Sequence, residues 1–441
     1  MFNKKYELNE VRTIMYRYVN YVNEYERIMQ FNKNKDISIH RWYPFVEGYS
    51  KEFINAIVNE QPQKIEMCLE PFSGSGTTAL ELSIRGISCI SFEVNPFMFT
   101  LSKAKLKVSQ YKIRTIKSHI LKMKKHAFSL NDEEINLDSG FSTLIEGQEK
   151  KKWNIDREVF IAIGKLKSAI NSLSTTLYKE VYTVCLANIL LGYSNLYRNG
   201  KCLSYKKGWQ ETQYSQEQVM TSFFDFINNV IIEDIEKKEV GKFSNHNLLY
   251  LGDSRKLIFE NVEDNSVDLI ITSPPYLNSR DYTDSYMLEL KALDFLTNYN
   301  DIKKIREQTI RSHVQLKIPH LTGVKSKILD AAISEIKSSS RNSLVWNSEI
   351  LKMIVAYFED MHIIFEGMYQ KLKKGRRAYF NVSNSAYFGV LINTLEICSE
   401  IAENIGFEVV EIRKARYLNP SPQQKEKISK LLEGVIVLEK K

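Results

Sequence analysis

Between residues 65 and 93, short apolar runs lie on either side of a helical stretch. The runs Ile65–Glu70 and Ser88–Glu93 predict two strands. The segment Thr77–Arg85 between them predicts a helix that ends at Gly86. A strand, a glycine-containing turn, a helix and a second strand make up a βαβ unit. The pattern therefore predicts two neighbouring strands of a parallel sheet.

The same alternation returns in the C-terminal half of the chain. Helices are predicted over Ser348–Leu372 and over the stretch that ends at Gly406, with a turn at Lys373-Lys374-Gly375. Strands that alternate with helices predict an α/β fold. The further predicted strands are Leu248–Leu251, Val267–Ile271, Ala378–Val382, Phe407–Ile412 and Val435–Leu438.

Other stretches do not fit a sheet, and they divide the chain into segments. Residues 1–36 predict an amphipathic, N-terminal helical extension. Residues 127–245 predict a helical insertion that carries a polar, basic and aromatic stretch, and residues 301–345 predict a second, lysine-rich insertion. The three parts of the α/β core are then residues 37–126, 246–300 and 346–441.

The composition is that of a soluble globular chain. Of its 441 residues, 43% are hydrophobic and 26% are charged, which provides ample core material. The sequence shows no signal peptide and no long uncharged apolar run, so we expect a cytoplasmic protein without a membrane anchor. The five cysteines form no CxxC pair, and the seven histidines form no HxxxH or HxE group. A metal-dependent mechanism therefore has no support in the sequence.

Basic residues are spread unevenly along the chain, whose net charge is +8. From Leu101 to His126, nine residues are Lys or Arg and none is acidic. Such a run attracts the phosphates of a nucleic acid. It is equally compatible with the solvated face of a surface helix, so charge alone does not decide between the two.

The glycine-rich stretch EPFSGSGTTAL, residues 70–80, follows the first predicted strand. Gly74 and Gly76 permit backbone angles and a close approach that a Cβ would prevent, and the helix start offers free N–H groups. The spacing G-x-G-x-x-A fits a dinucleotide site, with Glu93 placed to hold ribose hydroxyls, and it also fits a purely structural turn. Glu70 would repel a pyrophosphate and suits the cationic ammonium and sulfonium groups of S-adenosylmethionine (SAM).

A second loop, ITSPPYLNSRDY at residues 271–282, leaves another predicted strand. Pro274 and Pro275 end that strand because they lack N–H donors, and the carbonyls of this rigid step are fixed in direction. Ser273 adds a hydroxyl, and Tyr276 adds a ring on which a planar group can stack. Both loops leave carboxyl ends of parallel strands, so we expect them to face one cleft. Together they fit an exocyclic amine on a flat ring; the alternative is a bend that only ends a strand.

The pair EPFSGSGTT and TSPPY resembles the amino-methyltransferases of DNA, which transfer a methyl group from SAM to the exocyclic nitrogen of cytosine or adenine. The serine in the second motif is similar to the cytosine-N4 branch of that family. The resemblance covers roughly residues 37–110, 246–300 and 350–441. The other segments of this chain that carry the resemblance are HRWYPFVEGYSKEFINAIV, YLGDSRKL, GRRAYFNVSNS and IAENIGFEVVEI.

The resemblance implies an α/β, Rossmann-like SAM-dependent methyltransferase sheet, mostly parallel with a C-terminal antiparallel strand, plus largely helical insertions. It implies SAM as the cofactor and double-stranded DNA as the substrate, with the target base flipped out of the duplex. A restriction-modification or similar defence system, with a cognate restriction endonuclease as partner, is the implied setting. Cytosine-N4 enzymes frequently carry the glycine loop last. The reverse order here resembles a permuted arrangement with the target-recognition region at 127–245, and it leaves open which insertion reads DNA.

The predicted site residues form three groups. We expect Ser273, Pro274, Pro275 and Tyr276 to hold and position the amine. The residues expected around SAM are Tyr43, Glu70, Phe72, Gly74, Ser75, Gly76, Thr77, Glu93 and Asp253. The residues expected to contact nucleic acid are Arg198, Lys206, Lys207, Arg280 and Tyr282.

Four other functions remain compatible with the sequence. The same cleft could methylate adenine N6, and a related loop pair occurs in enzymes that methylate RNA. A nicotinamide-dependent oxidoreductase would use G-x-G-x-x-A but leaves the Ser273–Tyr276 step unexplained. A non-catalytic nucleic-acid-binding protein is the fourth alternative. A cytosine-C5 methyltransferase fits less well, because none of the five cysteines follows a proline.

Overall fold

A computed structural model describes residues 16–147, 151–200, 202–237, 243, 246–277, 281–314, 321–339 and 347–441. The strands are β1 (Tyr18–Asn20), β2 (Met67–Glu70), β3 (Ser88–Glu93), β4 (Leu196–Asn199), β5 (Cys202–Tyr205), β6 (Leu248–Leu251), β7 (Val267–Thr272), β8 (Leu372–Ser383), β9 (Ser385–Tyr387), β10 (Val390–Ile392), β11 (Phe407–Leu418) and β12 (Leu431–Lys440). The helices are α1 (Val22–Tyr25), α2 (Lys51–Asn59), α3 (Thr77–Ile84), α4 (Pro96–Leu106), α5 (Ile113–Ser129), α6 (Arg157–Asn171), α7 (Thr176–Tyr193), α8 (Gln216–Phe226), α9 (Glu233–Glu236), α10 (Ser254–Asn261), α11 (Met287–Ala292), α12 (Tyr299–Gln308), α13 (Lys327–Ser339), α14 (Asn347–Lys371) and α15 (Thr394–Ile405).

Eight strands form one sheet in the order β1-β11-β12-β8-β7-β2-β3-β6. Each neighbouring pair is parallel except the two pairs that β12 makes with β11 and with β8. The chain between β3 and β6 consists largely of helices. These helices, α4 among them, share one apolar core. The predicted α/β class is confirmed, with its mostly parallel sheet, antiparallel C-terminal strand and helical insertions.

The centre of the sheet explains why its strands were visible in the sequence. All six residues of β7 are buried, since strands inside a parallel sheet are covered on both faces. The neighbouring strands β2, β3 and β8 run in the same direction as β7. Their carboxyl ends therefore meet at one edge, and the loops that carry the glycine and proline motifs both leave from that edge.

The prediction of a helical extension over residues 1–36 is wrong for Tyr18–Asn20, whereas Val22–Tyr25 does form a short helix. Tyr18–Asn20 is an edge strand that pairs in parallel with β11, with Tyr18 opposite Ile412. The Tyr18 hydroxyl also donates a hydrogen bond to Glu396 Oε1, at 2.9 Å. The pairing with a distant strand outweighs the helical pattern of the local sequence. Residues 1–15 lie outside the described residues.

The predicted turn at Lys373-Lys374-Gly375 is also wrong, because β8 begins at Leu372 and continues through it. The residues of the predicted turn instead shift the register between β8 and β7. Leu372 lies opposite Val267, and Arg377 lies opposite Leu269. Gly375, with φ of +70°, permits this bulge. Within the described ranges, no helix is long and apolar enough to cross a membrane.

Candidate active site

Both motif loops line one cavity of about 640 Å³ at the carboxyl edge of the sheet. The structure therefore brings Gly74 and Pro274 to the same place, although they are far apart in the sequence. The predicted residues on the cavity wall are Phe72, Gly74, Ser75, Thr77, Glu93, Asp253, Ser273, Pro274, Pro275, Tyr276 and Arg198. The predicted SAM contacts Tyr43, Glu70 and Gly76 lie elsewhere, for reasons given below.

The glycine loop is shaped by two residues with left-handed backbone angles. Gly74 has φ of +53° and Gly76 has φ of +77°, and glycine adopts both without strain. A Cβ on Gly76 would lie 3.1 Å from Cα of Ser102 in α4. Gly76 thus lets helices α3 and α4 approach each other, which corrects its predicted contact with SAM.

The backbone of the glycine loop is held by two hydrogen bonds from α4. Ser102 Oγ donates to the carbonyl of Gly74 at 2.9 Å, and Lys105 Nζ donates to the carbonyl of Ser75 at 3.0 Å. Lys105 is fully buried, and burial lowers its pKa to about 7. One member of the basic run therefore serves as an internal support for the loop.

Glu70 lies beneath the loop and binds protein groups with both carboxylate oxygens. Its Oε1 accepts from Thr272 Oγ1 at 2.5 Å and from the N–H of Phe72 at 3.1 Å. Its Oε2 accepts from the Tyr49 hydroxyl and from Thr78 Oγ1. Burial raises the pKa of Glu70 to about 7. The predicted contact between Glu70 and a cationic cofactor is corrected: this carboxylate ties β2, β7 and α3 together.

Glu93, at the end of β3, is half-buried and faces the cavity. Its carboxylate accepts from the N–H of Gly74 at 2.7 Å and from the N–H of Asn95 at 2.8 Å. Burial raises its pKa to about 7. Asp253, after β6, also lines the cavity, and Arg255 holds its carboxylate through Nε and Nη2. Two carboxylates therefore stand on the glycine-loop side.

On the opposite side, the hydroxyl of Tyr276 is held by residues from β8 and β12. It donates to Glu433 Oε1 at 2.7 Å and accepts from Asn381 Nδ2 at 2.7 Å. Asn381 Nδ2 also lies 3.4 Å from Ser273 Oγ. Arg416, on β11, forms an ion pair with Glu433 Oε2. Burial, followed by the charge of Glu433, raises the pKa of Tyr276 well above its usual value.

Aromatic rings form a further wall between the two loops. Phe45 and Tyr286 stack with their planes 8° apart and their centroids at 6.1 Å. Arg198 lies over the Tyr286 ring and pairs with Glu289 Oε1 at 2.7 Å. The Tyr43 hydroxyl donates to the same Glu289 oxygen, and Tyr43 is buried behind the wall. Arg198, a predicted nucleic-acid contact, therefore lies on the cavity wall, whereas Tyr43, a predicted SAM contact, belongs to the core.

Two of the other predicted nucleic-acid contacts, Lys206 and Lys207, do not line the cavity. Lys206 Nζ donates to the carbonyls of Leu191, Gly192 and Ser194 at the end of α7, so it caps a helix rather than facing a phosphate. Lys207 is exposed. Arg280 lies outside the described residues. Tyr282 begins a 3₁₀ turn, and its side chain is outside what the structure describes.

The cavity also contains residues that the sequence did not reveal. Phe45 and Asn381 lie in two of the segments that carry the resemblance, but nothing there singles them out. Tyr286, Glu433 and Arg416 lie in stretches without a chemical signature. A segment of the second predicted insertion adds Gln308, Thr309, Ile310, Ser312 and His313. Among the described residues, no group of three or more His, Cys, Asp or Glu side chains is placed to hold a metal ion.

The segment from the second insertion is fixed to the core by a buried charge. Arg311 Nη2 pairs with Asp360 Oδ1 of α14 at 2.7 Å. The same oxygen accepts from Arg255 Nη1 at 2.9 Å, and Arg255 holds Asp253. The wall that the insertion contributes is thus connected to the strand end of β6 through one fully buried carboxylate.

Several known proteins are similar to this chain in sequence. No family model matches the chain. The type II methyltransferase M.BsoBI of Geobacillus stearothermophilus is 26% identical over 457 residues, covering 92% of this chain and 87% of that protein. M.AvaI of Nostoc sp. is 26% identical over 425 residues, covering 88% and 82%. M.MvaI of Kocuria varians is 24% identical over 272 residues, covering 59% and 58%.

Among solved structures, a SAM-dependent methyltransferase from Methanosarcina mazei covers 87% of this chain and 96% of its own, with 9% identity and a TM-score of 0.29. The sequence relatives are all methyltransferases, so the nicotinamide-dependent alternative is set aside. Along most of its length, the chain is similar to proteins named as type II methyltransferases.

Proposed function

We propose that this protein is a site-specific DNA methyltransferase that transfers the methyl group of SAM to N4 of a flipped-out cytosine. One observation carries the proposal: residues 273–276 and the glycine loop line the same cavity. The relatives named as type II methyltransferases support a restriction-modification setting. Such an enzyme acts in the cytoplasm on double-stranded DNA, beside a cognate restriction endonuclease.

The glycine-loop side of the cavity suits the parts of SAM. A Cβ on Gly74 would come 2.9 Å from Cζ of Phe45, so only glycine fits where the loop approaches this ring. Glu93 can accept hydrogen bonds from ribose hydroxyls, and Asp253 lies at the strand end where we expect the adenine. When bound, SAM supplies an electrophilic methyl group on a sulfonium.

The opposite side suits the amine of the target base. The lone pair of the cytosine amine is delocalised into the ring, which makes the nitrogen a weak nucleophile. Ser273 Oγ and the carbonyl of Pro274 can each accept one of its N–H bonds, which favours a tetrahedral nitrogen with a localised lone pair. Positioning and fixed dipoles around an amine that becomes positive then supply most of the rate enhancement.

The Tyr276 ring is suited to hold the base flat. A base inside a duplex cannot reach this cavity, so the target nucleotide must leave the stack. Stacking on an aromatic ring contributes about 1–3 kcal/mol per base. The hydroxyl bonds to Glu433 and Asn381 fix the far end of the ring, so its plane is set before the base arrives.

Contacts with the DNA backbone are proposed for the exposed part of the basic run. Lys103 and Lys107 pair with Glu180, and Lys105 is buried, so these three residues are occupied. An exposed row of like charges on and beside α5 suits a phosphate backbone. The exposed basic residues are Lys112, Arg114, Lys117, Lys122, Lys124 and Lys125.

The proposed reaction is tested by identifying the modified base. We expect DNA from a methylation-free host that expresses the protein to contain N4-methylcytosine, and DNA from the same host without it to contain none. Mass spectrometry of enzymatic digests distinguishes the nucleosides. N6-methyladenine as the modified base would contradict the assignment to cytosine, and methylated RNA beside unmodified DNA would contradict the assignment to DNA.

The affinity for SAM should depend on pH through Glu93. Its pKa is raised to about 7, so the carboxylate is mostly ionised above pH 7 and protonated below. The ionised form accepts ribose hydroxyls better than the protonated form. We therefore expect SAM binding to weaken by up to about fivefold as the pH falls from 7 to 6, measured by titration calorimetry.

The variant Glu93→Gln serves as the control for this measurement. It keeps the size of the side chain but cannot ionise, so its weaker SAM binding should vary little between pH 6 and pH 8. Glu70 also has a pKa raised to about 7, and it is still present in this variant. If Glu93→Gln keeps the full pH dependence, the effect comes from Glu70 or another group and not from Glu93.

A further inference from the structure

We infer that Glu433 is a positioning residue for methyl transfer, which sets the direction of the Tyr276 hydroxyl and leaves Ser273 Oγ available as an acceptor. The inference rests on the proposed function, because it concerns how the proposed amine site is prepared. It adds residues from β8, β11 and β12 to a site that the two motifs alone define.

The antiparallel strand β12 brings Glu433 close to residues 273–276. In the sheet register, Thr272 lies opposite Phe380, so Ser273 comes beside Asn381 at the end of β8. Asn381 lies opposite Val435, and Glu433 is two residues away on the same face of β12. Arg416 lies opposite Glu433 on the other side of β12. The three residues therefore face one another because of strand pairing, and Glu433 is 1% exposed.

The directions of the hydrogen bonds follow from the chemistry of the groups. An ionised carboxylate only accepts, so the Asn381 amide must present its nitrogen to Glu433 Oε1, at 3.3 Å. The same nitrogen donates to the Tyr276 oxygen at 2.7 Å. Since that oxygen accepts from Asn381, Tyr276 is left to donate its own hydrogen to Glu433.

This direction matters for Ser273. Its Oγ lies 3.4 Å from the Tyr276 oxygen, which accepts from it, and 3.4 Å from Asn381 Nδ2. These separations are long for hydrogen bonds, so the serine hydroxyl is held only loosely. Because the Tyr276 hydrogen is donated to Glu433, the Tyr276 oxygen serves as an acceptor for the Ser273 hydroxyl. Ser273 Oγ therefore keeps a lone pair that can accept an N–H of the substrate amine. A donor at position 433 would allow the Tyr276 hydrogen to turn toward Ser273 and compete with the substrate.

A double-mutant cycle with Glu433→Gln and Tyr276→Phe tests the inference. Each single variant should lower kcat for DNA methylation by about tenfold, while the Kd for SAM stays unchanged. Because Glu433 acts through the Tyr276 hydroxyl, the double variant should be no slower than the slower single variant. A purely structural role would instead give independent, multiplying losses, so a double variant slowed by the product of both factors overturns the inference.

One control variant and one fallback measurement keep the test decisive. Glu439→Gln removes a carboxylate from the same strand, where Glu439 pairs with Arg377 at 2.9 Å, and should leave kcat unchanged. Glu433→Gln leaves Arg416 without its charge partner and could unfold the protein. In that case Tyr276→Phe alone decides, since it keeps Glu433 with Asn381 and Arg416, and a wild-type kcat would overturn the inference. The proposed function fails separately, if the wild-type protein produces no N4-methylcytosine.

Discussion

Ser273→Ala should lower kcat for DNA methylation by about a hundredfold to a thousandfold, which is the usual effect of removing one group aimed at a developing charge. The serine hydroxyl is the loosely held acceptor beside Tyr276, and alanine leaves an N–H of the amine without a partner. The Kd for SAM should not change, because the residues proposed to hold SAM lie across the cavity. Single-turnover rates at saturating SAM and DNA measure the effect.

The matched control for this variant is Ser266→Ala. Ser266 immediately precedes the same strand β7, at its amino end, and its hydroxyl donates to the carbonyl of Glu263 at 2.7 Å. It should retain wild-type kcat. A Ser273→Ala enzyme with more than half of the wild-type rate would show that the amine is held by other groups.

Gly76→Ala should weaken SAM binding at least tenfold and lower the midpoint of thermal unfolding. Its φ of +77° costs a non-glycine residue about 1–2 kcal/mol. The new Cβ would also lie 2.8 Å from Ser102 Oγ and 3.1 Å from Ser102 Cα. Overpacking of this kind costs about 1–3 kcal/mol more. Because Ser102 holds the carbonyl of Gly74, a shift of α4 carries the glycine loop with it.

The variant Gly375→Ala separates the cost of the backbone angle from the cost of overpacking. Gly375 has a similar φ of +70°, but a Cβ there would meet nothing within 4 Å. This variant should show only the cost of the backbone angle, with SAM binding unchanged. If both alanine variants lose the same amount of stability and neither affects SAM binding, the close approach of α3 and α4 is not what shapes the cofactor side. Calorimetry for SAM and thermal unfolding, run on both variants, give the comparison.

The cleft itself could be predicted from the sequence because it follows from backbone rules. The buried run of β7 and the βαβ pattern at residues 67–93 identify parallel strands, and the carboxyl ends of parallel strands share one edge. Glycine and proline then mark the loops at that edge through their backbone angles. These signals are local, so they can be recognised without knowledge of the tertiary contacts.

Side-chain environments could not be predicted in the same way. Lys206 and Arg198 were grouped with exposed basic residues, but one caps α7 and the other packs on Tyr286. Charge type alone does not distinguish a phosphate contact from a buried bond to a carbonyl or carboxylate. Glu433 and Asn381 depend on the insertion of β12 between β8 and β11, a pairing that neither stretch signals by itself.

The edge strand β1 has a consequence for how the chain reaches its final form. Tyr18–Asn20 is synthesised long before its partner strand β11, because most of the printed sequence lies between them. The first strand must therefore remain unpaired until β11 has been synthesised. Contacts between such distant residues form slowly because the entropy of closing the intervening loop opposes them. The outer border of the sheet is thus among the last parts of the molecule to close.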